Sequence, residues 1–366
     1  MNAWSRTFAL AIGLASAARG GSVSAASPPG HLTFNDHVQP ILSEYCYRCH
    51  GPDSGSRKAG LRLDRAEFAL AGREGGPAIV RGDAAGSPLI RRVKSTDAGE
   101  VMPPPETHQK LKPEEIAILE AWVNGGAAYQ EHWSFIRPER PPVPGVRGGD
   151  WARNPVDHFV LARLEAAGLE PNGPEEKRRL LRRVTLDLTG LPPGPEEAEA
   201  FARDGDPGAY EGAVDRLLAS PRYGEHMARY WLDAARYADT HGIHIDNYRS
   251  IWPYRDWVIR AFNENMPFDR FTVEQLAGDL LPRPSREQRI ATGFNRCNPT
   301  TNEGGAIDDE YYAIYAEDRG ETTSATWMGL TMGCASCHDH KFDPISMREF
   351  YAFAAYFRNT TQKAMD

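Results

Sequence analysis

The chain is 366 residues long, room for two domains, and its 41% apolar and 25% charged residues are ordinary for a globular protein. A formal net charge of -8, with no basic stripe interleaved with aromatics, excludes nucleic acid as a main partner, because phosphate binding needs clustered Lys and Arg. Five cysteines are present, and four of them fall in two identical short patterns.

Taken in order, the first residues read as an export signal. Arg6 gives a charged start, Thr7 to Ala15 a weakly apolar core, and Ser24-Ala25-Ala26 a small-residue cleavage region, so residues 1–26 are expected to be removed. That core is too short for a bilayer, and no later run reaches about 18 uninterrupted apolar residues. The expected product is exported, to the periplasm or the cell surface, with no transmembrane segment.

Residues 31–130 read as a first domain. Phe34, Val38, Ile41 and Leu42 recur at helical spacing and lead into Cys46-Tyr47-Arg48-Cys49-His50. On a helix, positions i, i+3 and i+4 share one face, so Cys46, Cys49 and His50 point the same way. C-x-x-C-H is the pattern of c-type haem attachment: the thiols bind the porphyrin and the histidine ligates the iron. The rival readings are a zinc site, which needs four ligands, and a redox C-x-x-C, which has no use for the histidine.

Gly51 to Gly99 is rich in Gly, Asp and Ser and reads as loops around short elements. Val101-Met102-Pro103-Pro104-Pro105 then puts a thioether on a stiff extended segment, suited to hold Met102 against the second face of the iron. His/Met ligation leaves no open position and suits electron transfer. His108 and His37 are the rival ligands. Pro113-Glu114-Glu115 opens a closing helix with Ile116, Leu119, Trp122 and Val123 on one face, stopped by Gly125-Gly126.

Residues 131–150 read as a Pro/Gly-rich linker, stiff around Pro141-Pro142 and pliable at Gly148-Gly149. From 151 to 360 the pattern is mostly helical. Helices are expected after Asn154-Pro155, after Pro174-Glu175-Glu176 with a stop at Gly190-Leu191-Pro192-Pro193, around Tyr210 to Leu218, and after Ser220-Pro221. The stretch 239–321 holds His241, His244, Asp246 and Glu303 beside glycines, a composition that suits solvated loops and, less often, a metal or substrate site. Cys297 has no partner in either pattern and reads as a buried thiol.

Cys334-Ala335-Ser336-Cys337-His338 repeats the spacing of the first motif behind an apolar helical approach, Glu321 to Met332. It predicts a second covalent haem on Cys334 and Cys337, with His338 as axial ligand. No Met-Pro-Pro follows, so the sixth ligand is open among His226, His241 and His244, with His340 and Met332 too close in sequence to reach across the ring easily. A vacant position would also fit, and would admit a small exogenous ligand.

The order of parts in the first domain, C-x-x-C-H, Met-Pro-Pro and the Ala121-Trp122-Val123 helix, resembles the class I cytochrome c family, in its planctomycete-type module. Leu186-Asp187-Leu188-Thr189-Gly190-Leu191-Pro192-Pro193, Tyr230-Trp231-Leu232-Asp233, Glu274-Gln275-Leu276-Ala277-Gly278-Asp279 and Asn302-Glu303-Gly304-Gly305 resemble the large companion domain of unknown function that accompanies that module. The resemblance implies a mainly α protein: a small class I cytochrome c-like helical domain followed by a larger helix-rich domain. It also implies a further C-terminal domain after Asp366, so the chain reads as a possible fragment.

Three functions follow as expectations. The leading one is an exported c-type cytochrome with haem c as cofactor, two haems per chain, passing electrons between redox partner proteins. The second is a haem-dependent oxidoreductase acting at the second haem on an extracytoplasmic substrate, carbohydrate among the candidates. The third is a single-haem binding module whose second C-x-x-C is structural.

Overall fold

The computed structural model of the protein describes residues 32–72 and 76–360. The expected signal segment, residues 1–26, lies outside the described residues. The chain divides into two compact units, one ending at Gln130 and the other beginning at Glu131. Both are helical. Among the described residues there is no sheet, only three isolated bridges, Val80 with Asp83, Thr240 with Tyr248 and Gly242 with Thr300.

The first unit runs through a single π-turn at Phe34–Val38, then α1 (Gln39–Tyr45), α2 (Tyr47–His50), α3 (Ala66–Ala69), α4 (Pro88–Lys94) and α5 (Pro113–Asn124). Thr33 starts the π-turn, its side chain accepting from the Asp36 amide. α5 begins with Pro113 at its first position, where a missing N–H costs nothing, and Glu115 reaches back to the Lys112 amide at 2.7 Å. The apolar faces of α1 and α5 and the piece Leu61 to Leu63 meet in one core of Phe34, Val38, Leu42, Leu63, Ile79, Leu119, Trp122 and Val123. Phe34 packs on Tyr129 and Trp122 with ring centroids 4.6 and 5.7 Å apart. Burying each such side chain contributes about 1.5–3 kcal/mol.

The second unit contains α6 (Pro155–Ala166), α7 (Lys177–Thr189), α8 (Pro195–Arg203), α9 (Ala209–Leu218), α10 (Pro221–Ala234), α11 (Trp252–Asn263), α12 (Phe268–Ala277), α13 (Arg286–Ala291), α14 (Asp308–Thr323) and α15 (Met347–Ala354). The expected stop of α7 is made by Gly190 in the left-handed region, φ +71°. α10 and α11 pack at close range because Gly224 has no Cβ. One placed there would overlap the Ile259 carbonyl and lie 2.6 Å from the Asn263 amide, whose Oδ1 instead accepts from the Gly224 N–H at 2.8 Å.

The core between α11, α12 and α13 is aromatic: Tyr254, Trp257, Phe271 and Phe294 are each at most 6% exposed. The stretch 239–321, whose composition suits loops, thus carries α11 to α14. Its aromatic residues fall at helical spacing, a signal that the scattered Gly, Asp and His obscured. A smaller core, Leu330, Met332, Ala335, Ile345 and Phe350, sits under the second C-x-x-C-H.

Part of the 131–150 stretch is anchored in the second unit. The His132 ring is buried and its Nε2 bonds Asp343 Oδ1 at 3.1 Å, while Trp133–Phe135 forms one 3-10 turn. From Arg137 to Gly145 the backbone is irregular and mostly exposed, as Pro-rich sequence dictates.

Candidate functional site

The first motif is one turn of α-helix. Cys46 closes α1, its amide donating to the Leu42 carbonyl at 2.8 Å, and also caps α2. Its own carbonyl accepts from the Cys49 amide at 3.1 Å and the His50 amide at 2.8 Å. Cys46, Cys49 and His50 therefore occupy the i, i+3 and i+4 positions of a single turn. Gly51 must follow, because a Cβ there would strike the Tyr47 carbonyl. The loop then folds back: Lys58 donates to the Cys49 carbonyl and Leu63 to the His50 carbonyl, each at 2.8 Å.

Cys46 is buried in the apolar core, and that burial, with Cys49 beside it, pushes its thiol up to about 12. A neutral, buried thiol is the opposite of an activated thiolate, so the motif is poorly built for dithiol redox exchange. It suits a thioether bond to an apolar group. The zinc alternative lacks its ligands: among the described residues no three His, Cys, Asp or Glu side chains stand together as a metal shell.

Met102 lies in the same unit, half-buried, with its amide bonded to the Arg92 carbonyl at 3.1 Å just before the end of α4. Pro104 leads into a 3-10 turn at Pro105–Thr107, and Thr107 Oγ1 ties back to the Pro104 carbonyl at 2.7 Å. The segment is thus held by its own backbone. Of the rival ligands, His37 has its Nδ1 3.2 Å from the Thr33 amide, capping the π-turn, and His108 is exposed in the left-handed region.

The second motif differs from its expected geometry. Gly333–Ser336 is a 3-10 turn, Cys337 follows as its cap, and His338 lies beyond it. The approach is also irregular: α14 ends at Thr323 and passes into a π-turn at Ser324–Met328. Only Cys334 lies within the turn, Cys337 is its cap and His338 follows, so the single shared face of the first motif is not formed here. Cys334, Cys337 and His338 are all exposed.

Contacts from distant parts of the sequence hold this turn. Tyr351 on α15 donates its hydroxyl to the Ser336 carbonyl at 2.9 Å. The Glu321 carboxylate fills the space beside Gly333, where a Cβ would lie 3.1 Å from it. Burial, then repulsion from Asp318 and Glu317, raises the Glu321 carboxyl above its usual range, against the opposing pull of Arg236. His340 is fixed as an acceptor, its Nδ1 receiving the Phe342 and Asp343 amides at 3.2 and 2.8 Å.

His338 Nδ1 lies 2.8 Å from the Asp339 carbonyl, a contact that only an Nδ1–H can make as a hydrogen bond. This leaves Nε2 as the nitrogen with a lone pair to give to a metal, the arrangement metal-ligating histidines commonly show. By donor chemistry His338 can offer Nε2 to a haem iron and Cys334 and Cys337 can offer thiols, but the three do not share one face as Cys46, Cys49 and His50 do.

The candidates for a sixth ligand there are each engaged elsewhere. His226 is buried on α10, edge-on to Tyr230 and below Gly190. His241 Nδ1 bonds Thr300 Oγ1 at 2.7 Å, and burial lowers its ring below the usual histidine range. His244 bonds Thr301 Oγ1 at 2.8 Å through Nδ1 and faces Glu303 at 3.3 Å through Nε2. His241 and Thr300 belong to a buried polar network in which Arg249 donates to Thr300 Oγ1 and Arg319 donates to the Asn295 carbonyl, each at 2.7 Å. Desolvation brings the Arg319 guanidinium down to about 10. Met332 is core, 6% exposed.

Tyr351 supports the turn from a distant element, and the His132–Asp343 pair, 211 positions apart, lies beside His340; spacing reveals neither. Cys297 is buried with its thiol raised to about 12, as a lone core cysteine should be.

Two family models match the chain. Residues 46–106 match PSCyt1, described as planctomycete cytochrome C, a span that opens at Cys46 and includes Met102. Residues 155–362, over half the chain, match PSCyt2, described as a protein of unknown function (DUF1549). No curated protein and no solved structure matches.

Proposed function

The chain belongs to the PSCyt2 (DUF1549) family and carries a planctomycete cytochrome c domain ahead of it, and on that premise we propose that it is an exported electron-transfer protein with two covalent haems. The observation that carries the reading is the α-turn that puts Cys46, Cys49 and His50 on one face at the first residue of the cytochrome match. When bound, haem c supplies a one-electron couple at iron. The protein's own residues do the rest. Cys46 and Cys49 would hold the ring through two thioether bonds, and His50 and the proline-flanked Met102 would be the residues offered to its iron.

In the second unit Cys334 and Cys337 would hold a second ring, and the Asp339 carbonyl, by taking the Nδ1–H of His338, would leave Nε2 for its iron. The exposure of all three residues suits a site that exchanges electrons with a partner protein at the surface. The same exposure favours the second reading, an oxidoreductase whose substrate meets this haem. A ferric spectrum separates the two: low-spin iron in both sites supports electron transfer, and a high-spin component that shifts with cyanide supports the enzyme.

Export rests on the charged and apolar pattern of residues 1–26 and on the compartment that haem attachment requires. No helix among the described residues is long and apolar enough to cross a membrane. The test is haem content by pyridine haemochrome in protein made with a cytochrome-maturation system. Two haems are expected in the wild type and one in a Cys334→Ala/Cys337→Ala variant. One haem in both would leave the second motif structural.

A further inference from the structure

A cleft of about 140 Å³ opens between α11, α12 and α13, away from either C-x-x-C-H motif in sequence and independent of the haem reading. It has room for several waters. Trp257 and Ala261 contribute apolar wall, and two ion pairs contribute the polar part, Arg260 with Glu287 and Arg270 with Glu274.

Glu274 is the unusual member. Its side chain is 3% exposed, yet it takes all its internal hydrogen bonds on one oxygen: Oε1 accepts from Arg270 Nε at 2.8 Å and Gln288 Nε2 at 3.3 Å. Oε2 accepts from no donor among the described residues and is not sealed from the cleft. The neighbouring groups are fixed beforehand. Gln288 is locked by a reciprocal cap with Ser285, its amide accepted by Ser285 Oγ at 3.1 Å and its Oε1 accepting the Ser285 amide at 3.0 Å. Oε2 is therefore open to water in the cleft, and a ligand donor that replaces that water keeps the hydrogen bond.

The charges decide what kind of donor. Both guanidinia already face carboxylates, so an anion would have to draw Arg260 or Arg270 from its partner, and a cation would have to compete with Arg270 for Glu274. A neutral hydroxyl does neither. It donates to Oε2 and accepts from an unused guanidinium N–H, and adjacent hydroxyls match the planar, two-pronged groups that line the wall. We infer that this cleft binds a neutral polyol of about one sugar unit, with Glu274 Oε2 and Arg270 as the paired acceptor and donor.

The experiment is saturation-transfer NMR on the mature haem-loaded protein with D-glucose, D-galactose, D-mannose and L-fucose, followed by titration of the best binder. At least one sugar is expected to bind saturably at millimolar concentration. Binding should weaken at least tenfold in Arg270→Met and in Glu274→Gln. Arg270 is exposed, and Arg270→Lys, which keeps the charge beside Glu274 but removes the paired N–H donors, should also weaken binding and carries the test if Arg270→Met or Glu274→Gln folds poorly. Absence of saturable binding by all four sugars, or unchanged binding in Arg270→Met, overturns the inference. Displacement of the sugar by equimolar sulfate or n-butylammonium overturns it too, since the cleft would then be an ion site.

Discussion

The first and second C-x-x-C-H segments share a spacing but not a backbone, and the contrast shows how much of such a motif is local. At Cys46–His50 the α-turn is closed by the motif's own amides, and Cys46 is buried in the core beneath it. At Cys334–His338 the backbone is a 3-10 turn at Gly333–Ser336, Cys334, Cys337 and His338 are exposed, and the turn is held by Tyr351 and flanked by Glu321. The first is a feature of its pentapeptide. The second is a feature of the unit around it.

The largest expected effects break the two sites separately. His50→Ala should abolish the low-spin signature of the first haem, and Met102→Ala should remove its weak far-red methionine-to-iron band while leaving the haem attached. Visible and near-infrared spectra of the oxidised protein check both, and an unchanged far-red band would pass the sixth position to His37 or His108. His338→Ala should alter only the second haem.

Next comes stability. Leu42 is fully buried one helical turn before Cys46, so Leu42→Ala should cost about 2–5 kcal/mol and loosen the first site, read from urea unfolding followed at the haem band. No single apolar truncation within the second pentapeptide should cost as much, because only Ala335 there is buried.

This asymmetry also explains what the sequence discloses. Helix α5 is legible because Pro113, two acids and a four-residue apolar face lie within eleven positions. The stop at Gly190 and the start at Ser220-Pro221 are equally local. By contrast α8 is announced only by Gly194-Pro195-Glu196-Glu197, with little apolar face behind it. The 3-10 form of the second motif is not legible at all, since the groups that pack on it come from α14 and α15. Both motifs read alike in sequence because spacing records only residue types.

A smaller effect sharpens the comparison in haem-free protein. Burial holds the Cys46 thiol neutral, with its pKa raised to about 12, so it should react with iodoacetamide far more slowly than the exposed Cys334 and Cys337 near neutral pH. The rate at Cys46 should keep rising with pH toward about 12, because only the thiolate reacts. Peptide mass spectrometry at several pH values reads this directly, and equal rates at all sites would mean that Cys46 is not buried. The smallest effect belongs to Tyr351→Phe, which removes one exposed hydrogen bond to Ser336 and should cost about 0.5–1.5 kcal/mol. Its mark should fall on the second haem's spectrum and not the first's.

Intact mass of the mature wild-type chain, expressed where cytochromes are matured, puts the question of covalent haem most directly. The account requires loss of a leader ending near Ala25 or Ala26 together with two haem increments. A colourless product carrying neither increment would contradict it.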